Sequence, residues 1–316
     1  LKIKRLDELY GLDEIRQQIK VAIISSNKQN RPFPHSLLSG PGGLGKTTLA
    51  RAIAFEVGVD FNEFHGSSFK KPVDLTNAII EIAQNRQSFM LFIDECHQMR
   101  MNLQETLYVP MAEFRVPTLE GYFNLPSFTL MAATTQRHLL DENSFVGRFS
   151  YVWELQDYNE TSLMWIIANE FRDKELKFDI EAVKMIASRS HGNPRNAIKL
   201  SRKVADMCFA VGSTELTQPL ILQAFTLDGI DQFGLSRTHR NYLESLCDAN
   251  GSGRGVEAIA GSLGLSADVV SGSVEPILLK KRFIIRDRTG RKLTPRGIQY
   301  LAKLKKEDGG LTSISK

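Results

Sequence analysis

The chain has 316 residues, 42% hydrophobic and 24% charged, which allows two or three domains with their own cores and excludes a disordered or low-complexity protein. No apolar run approaches the roughly 18 residues that span a bilayer, and the first residues show no signal-peptide pattern, so a cytoplasmic protein away from membranes is expected. Cys96, Cys208 and Cys247 are isolated and lack metal-ligand spacing, which reads as thiols in a reducing compartment.

The net charge of +4 conceals a division. Residues 232–316 carry 15 Lys+Arg against 8 Asp+Glu, whereas the first 231 sum to −3. A basic carboxy-terminal module on a slightly acidic body is either a polyanion-binding surface or an ordinary solvated one.

In chain order, the first strong signal is "SLLSGPGGLGKTTLARAIA" at 36–54: a strand, a glycine-rich turn and a helix. Gly40, Gly45, Lys46 and Thr47 fit G-x-x-x-x-G-K-[ST] in full. Glycines let backbone N–H groups close on phosphates, a lysine reaches the β- and γ-phosphates, and a hydroxyl holds Mg²⁺. ATP with Mg²⁺ is the expected cofactor pair.

"FNEFHG" is a second strand, and "FMLFIDECHQM" a third that is apolar on both faces. Asp94 leaves its carboxyl end, where open α/β sheets bind ligands, and is placed to hold Mg²⁺. Glu95 is placed to polarise the attacking water; the competing reading is a cap for the following helix. A further strand ends in "AATTQ". Thr134 or Thr135 is suited to holding the attacking water by a hydroxyl hydrogen bond. Arg148, in "FVGRFS", and Arg195, in "HGNPRNA", are surface arginines on their own evidence. The strand "YVWEL" closes a set of apolar strands alternating with helices, the pattern of a parallel sheet covered on both faces. Trp153 and Trp165 read as core residues.

From Asn159 to about Gly229 the period is helical throughout, with four amphipathic segments, and "LDGIDQFGL" reads as a linker. Residues 237–300 read as a winged helix: three short helices, then "RFIIRDRTGRKLT" as a hairpin. The domains expected are 1–157 (ATPase), 158–231 (helical lid), 232–306 (winged helix) and 307–316 (flexible tail).

The order of these motifs resembles the AAA+ ATPases and, among them, the RuvB family. The family's "GPPGLGKTTLA" stands here as "GPGGLGKTTLA", "FIDEIHR" as "FIDECHQ", and "LYPAMED" as "LYVPMAE". Its "PPFTLIGATTRAG" stands as "PSFTLMAATTQRH" and its "RSRGTPRIANRLLRRVRD" as "RSHGNPRNAIKLSRKVAD". The resemblance covers nearly the whole chain and implies an α/β fold: a P-loop core with a parallel sheet, an all-α lid and a winged helix.

It also implies roles. Gly43, Lys46, Thr47 and Thr48 match phosphate-contacting positions, beside the motif glycine Gly45. Leu1, Lys2 and Tyr158 match other nucleotide contacts, with Lys2 replacing an arginine. Arg195 matches the lid residue that reads the phosphates. Arg148 matches the arginine finger that acts on the neighbouring subunit's nucleotide, implying a homo-hexamer. Arg286 and Arg291 match DNA-contacting arginines, with Arg288 and Lys292 beside them. The partners implied are double-stranded DNA or a four-way junction and a RuvA-like junction-binding protein.

Three departures bear on this. Ala112, Glu113 and Phe114 replace a nucleotide-proximal Glu-Asp-Tyr. "SFVGRFS" replaces "PLRDRFG". The stretch "FRVPTLEGYFNLP" is shorter by about eight residues than the family's RuvA-docking hairpin and reads as a stubby loop. Two functions are therefore in play: a DNA motor of RuvB type, and an AAA+ switch or loader that recruits a different protein to DNA.

Overall fold

The computed structural model describes residues 5–84, 86–247 and 253–311, with side chains to 304. Leu1 and Lys2 lie outside the described residues, as do 312–316 of the expected tail; its first part continues the final helix. By contact the chain forms two units. One comprises Leu1–Glu170 with Gly192–Lys199, and the other Phe171–His191 with Leu200–Lys316.

In the first unit, α1 (Asp13–Lys28) precedes β1 (Ser36–Ser39), α2 (Lys46–Val57), β2 (Asp60–His65), α3 (Pro72–Gln84) and β3 (Ser88–Asp94). Two short helices follow, α4 (Met101–Thr106) and α5 (Tyr108–Glu113), then β4 (Arg115–Thr118), β5 (Gly121–Asn124), β6 (Ser127–Thr134) and β7 (Tyr151–Glu154). The helix α6 (Glu160–Arg172) begins in this unit.

Five strands form one parallel sheet in the order β2-β3-β6-β1-β7, as the alternation of apolar strands and helices predicts. The middle of β3, Phe89 to Ile93, is fully buried, because a parallel strand with both faces covered has no solvent side. Phe89 stacks on Phe128 of β6 with ring centroids 5.3 Å apart. Trp153 is buried and its indole N–H donates to Gln18 at 2.9 Å. Trp165 departs from the expectation of a core residue: it is 48% exposed and stacks on Tyr10.

The segment 115–124 also departs from its reading as a loop. It is an antiparallel hairpin pairing Arg115 with Asn124 and Thr118 with Gly121. Pro117 is accommodated because the pair stands as its own two-stranded sheet, so its missing N–H interrupts no larger ladder.

In the second unit, α7 (Ile180–Arg189), most of α8 (Pro194–Ala210) and α9 (Gln218–Leu227) carry the helical pattern, and β8 (Lys177–Phe178) pairs with β9 (Glu215–Leu216). Asp179 caps α7, its carboxylate accepting the Ala182 N–H at 2.6 Å. The winged part holds α10 (Arg237–Cys247), α11 (Val256–Leu263), α12 (Ala267–Val269) and α13 (Glu275–Lys280), the last two joined by a π-helical turn. The hairpin β10 (Ile284–Asp287) and β11 (Gly290–Leu293) follows, then α14 (Pro295–Leu311). The hairpin turn centres on Arg288-Thr289, where the Asp287 carboxylate accepts from both the N–H and the hydroxyl of Thr289.

The half-buried His35 ties the sheet to α5. The ring Nδ1 of His35 accepts the Leu130 N–H at 2.8 Å, which leaves Nε2–H to donate to the Met111 carbonyl at 3.1 Å. Only the neutral ring can do both. Burial pushes its pKa from 6.5 down to about 4, the Met111 bond opposing, and burial likewise holds His239 of the second unit at about 4. Between these values the unfolded chain binds protons that the folded chain refuses, so stability falls as pH drops from about 6.5 towards 4. Each histidine contributes about 1.4 kcal/mol per pH unit in that window. The melting temperature is expected to decline between pH 7 and 5, and His35→Gln to flatten part of that slope in a thermal-denaturation series.

Candidate functional site

The carboxyl ends of β1, β6 and β3 deliver the polar residues of the first unit side by side. After β1 the chain turns through Gly40 to Gly45 and enters α2 at Lys46. The Lys46 ammonium donates to the carbonyls of Gly40 and Pro41, at 2.7 and 3.1 Å. Burial lowers its pKa, the charges of Glu95 and Asp94 oppose that shift, and Arg195 adds to it. Thr47 donates its hydroxyl to Asp94 Oδ2 at 3.2 Å. Thr48 is exposed on the first turn of α2.

Asp94 ends β3, and Oδ1 accepts the Glu95 N–H at 3.0 Å. Glu95 takes a left-handed backbone conformation, φ 49°, unusual for a side-chain-bearing residue. Its carbonyl passes so close to Gly66 that a Cβ there would meet it at 2.3 Å. The turn sends the Glu95 carboxylate across to the end of β6, where Oε2 accepts from the Thr135 N–H at 3.0 Å and the Thr135 hydroxyl at 2.8 Å. His97 Nδ1 lies 3.3 Å from the same oxygen and 3.0 Å from the Thr134 hydroxyl. Thr134 is fully buried, so of the two threonines only Thr135 touches Glu95. Burial lowers the His97 pKa against the pull of Glu95. It pushes the Cys96 thiol up to about 12, leaving it un-ionised and inert at neutral pH.

The segment 192–199 belongs to the same unit and closes on the glycine turn. Asn193 Nδ2 donates to the Gly42 carbonyl at 2.7 Å, and its Oδ1 caps α8 by accepting the Arg195 N–H at 3.0 Å. The Arg195 N–H also reaches the Gly43 carbonyl at 3.3 Å. Gly43 has φ 87°, and a Cβ there would meet Asn193 Oδ1 at 2.5 Å, so both conformation and space require glycine. Tyr158 donates its hydroxyl to the Leu44 carbonyl at 3.0 Å, and burial raises its pKa. Sequence reading passed over Asn193, although an Asn-Pro pair opening a helix is the signal of a cap.

Arg148 stands apart from this cluster. It is exposed, its Nε donates to the Ser144 carbonyl at 3.0 Å, and among the described residues no carboxylate lies within ion-pair distance. Ala112 and Glu113 are exposed, and Glu113 pairs with Arg115.

In the second unit, the four basic residues expected on the wing have unequal freedom. Glu275 of α13 has no exposed surface. Its carboxylate accepts from Arg291 Nε at 2.9 Å, from the Tyr242 hydroxyl at 2.8 Å, and from Arg286. Burial works against its charge, and these partners more than offset it, so its carboxyl stays below the usual range. Lys292 pairs with Asp287 at 3.0 Å. Arg288, exposed at the turn, alone of the four has no carboxylate partner among the described residues. The sequence missed the Glu275 contact because Glu275 lies 11 and 16 residues from its arginines.

Two family models match the chain: "Holliday junction DNA helicase RuvB P-loop domain" over residues 1–155, and "RuvB C-terminal winged helix domain" over 232–302. A "Holliday junction branch migration complex subunit RuvB" from Kosmotoga olearia is 35% identical over 310 residues, 95% of this chain and 90% of that protein. The protein of the same name from Fervidobacterium nodosum is 34% identical, over 95% of this chain and 88% of its own. Among solved structures, the Thermotoga maritima RuvB Holliday junction branch migration motor is similar with a TM-score of 0.84 and 32% identity, covering 95% and 97% of the two chains. A point mutant of that Thermotoga maritima protein gives 0.85 and 31%, covering 96% and 99%.

The unequal roles of the wing arginines lead to a measurable difference. Arg291→Ala strips a buried carboxylate of its best donor and is expected to destabilise the winged helix by about 3 kcal/mol. Arg288→Ala is expected to stay within about 0.5 kcal/mol of the wild type. Urea unfolding followed by a probe in that module distinguishes the two.

Proposed function

Since the chain belongs to the RuvB family, we propose that it is a DNA motor that hydrolyses ATP in a hexameric ring, moves duplex DNA and drives branch migration at four-way junctions. The observation that carries this reading is the connected set Lys46, Thr47, Asp94, Glu95 and Thr135 at the carboxyl end of the sheet, with the exposed Arg148, which has no carboxylate partner among the described residues, outside it.

Each residue then has a chemical task. Lys46 and the N–H groups of 43–48 bind the β- and γ-phosphates, with the start of α2 favouring the anion. Thr47 and Asp94 offer hard oxygens in mutual contact, which suits Mg²⁺, an ion that needs one or two protein ligands beside phosphate oxygens. Bound there, Mg²⁺ supplies neutralisation of phosphate charge. Glu95 orients the attacking water and takes its proton, held in place by Thr135. Arg195, beside Gly43, reads the phosphates from the turn that opens α8. Leu1, Lys2 and Tyr158 complete the nucleotide contacts. Arg148 reaches the neighbouring subunit's nucleotide and stabilises charge in the transition state.

The three expected modules divide the work into hydrolysis, sensing and DNA contact. On the wing, Arg288 carries the phosphate contact and Lys292 joins it by exchanging its surface pair with Asp287 for a phosphate, while Arg286 and Arg291 hold the hairpin on α13. Such contacts add affinity without reading sequence, as a translocating protein requires. The hairpin β4–β5 keeps Leu119 fully exposed and Tyr122 exposed, features of a docking arm for a RuvA-like partner. No helix among the described residues is long and apolar enough to cross a membrane, and a cytoplasmic site of action follows from the proposed task.

Strand exchange on a synthetic four-way junction, with and without a RuvA protein, tests the reading. The wild type is expected to migrate the junction, and Glu95→Gln to lower ATP turnover by about 10²–10⁴-fold and abolish migration while still binding ATP. ATP-dependent DNA binding without strand movement in the wild type would identify a switch or loader instead.

A further inference from the structure

Arg148 makes a second contact, with an aromatic ring. The guanidinium carbon of Arg148 lies 3.8 Å from the ring centroid of Tyr108, the first residue of α5. Tyr108 is half-buried, packs against the sheet core, and stacks on Phe145 with centroids 6.5 Å apart. Phe145 is itself fully buried and meets Phe149 edge to face at 5.3 Å. Two aromatic residues anchored in the core thus bracket the turn Val146–Arg148 that carries the arginine.

The rest of that turn is equally determined. Asp141 accepts the N–H groups of Asn143 and Ser144 at 3.0 and 2.6 Å, and the Gly147 N–H donates to the Glu142 carbonyl at 3.0 Å. Glu142 is held by a two-pronged bond from Arg137. The backbone is fixed, and Arg148 Nε is fixed by Ser144.

An arginine that acts on another subunit's phosphate must satisfy two opposed demands. It must be oriented beforehand, and it must keep its charge and its outer N–H groups unspent. A carboxylate partner would orient it while neutralising it and occupying those donors. An aromatic face attracts the cation through the ring quadrupole and leaves every N–H at the rim of the guanidinium free. With Nε on a neutral carbonyl, the Nη donors of Arg148 remain available.

We propose that Tyr108 is the positioning residue of the arginine finger: its ring holds the Arg148 guanidinium, without neutralising it, for the neighbouring subunit's γ-phosphate. The proposal rests on the reading of Arg148 as a finger acting in trans. Tyr108 acts on the next subunit's site and not on its own, which sets it apart from an ordinary packing residue.

Subunit mixing tests this. Tyr108→Leu removes the ring face while keeping apolar bulk, and is expected to lower kcat for ATP hydrolysis about tenfold with little change in KM for ATP. Tyr108→Phe, which keeps the face, recovers most of that loss. Y108L subunits have an intact cradle and a misdirected finger. Mixed with K46A subunits, whose cradle is dead and finger intact, they are expected to regain turnover as R148A subunits do. Mixed with R148A subunits they are expected to regain none.

Rescue of R148A by Y108L, rescue by neither partner, or a Y108L enzyme as active as the wild type overturns the proposal while R148A with K46A still complements. Failure of R148A to complement K46A in assembled rings overturns the trans reading itself and this proposal with it.

Discussion

The parallel register of β1, β6 and β3 is the constraint on which the candidate site depends. Ser39 lies opposite Thr134, and Ala132 opposite Ile93, so the three strands end at nearly the same level. Asp94 at the end of β3, with Gly40 and Thr135 just past the ends of β1 and β6, therefore emerges beside them at the carboxyl end of the sheet. A slip of one residue would draw Ser88 or Asp94 toward the buried middle and exchange the side chains packed on the two covered faces of β3, so the ladder has one low-energy alignment. The glycine turn, the acidic pair and the polar strand end meet because three apolar strands cannot slide.

Charge is handled in three different ways in this molecule, according to what each group has to do. Lys46 is buried against backbone carbonyls within reach of Asp94 and Glu95, and its pKa is lowered by burial more than by any neighbour. Glu275 is buried and fully engaged by two arginines and a tyrosine, which spends those charges on holding a hairpin. Arg148 is oriented by a neutral carbonyl and an aromatic ring and spends nothing. A buried ion pair contributes registry at a desolvation cost, whereas a reactive charge has to stay uncompensated until its target arrives.

Much of this was legible in the residues. The phosphate turn, the strand ending at Asp94 with Glu95 after it, and the helix that opens at Pro194 are local patterns whose chemistry depends on neighbours within a few positions. The sheet followed from apolar strands alternating with helices. What escaped the sequence was non-local or marginal. The hairpin at 115–124 was obscured by Pro117, and Trp165 looked like core because a helix pattern does not say which stripe lies against a partner. Which threonine lies against Glu95 also needed the structure, since Thr134 ends the strand and Thr135 directly follows it.

The sequence by itself determined the element types, the phosphate-binding turn and the residues that emerge at strand ends, because dihedral preferences, glycine freedom and apolar periodicity act over short spans. Only the tertiary structure decided which arginines are spent and which are free. Glu275 meets Arg286 and Arg291, and Tyr108 meets Arg148. Those pairings join residues 11, 16 and 40 positions apart, brought together by packing and burial. A guanidinium carries the same charge in any sequence; what lies against it sets its use.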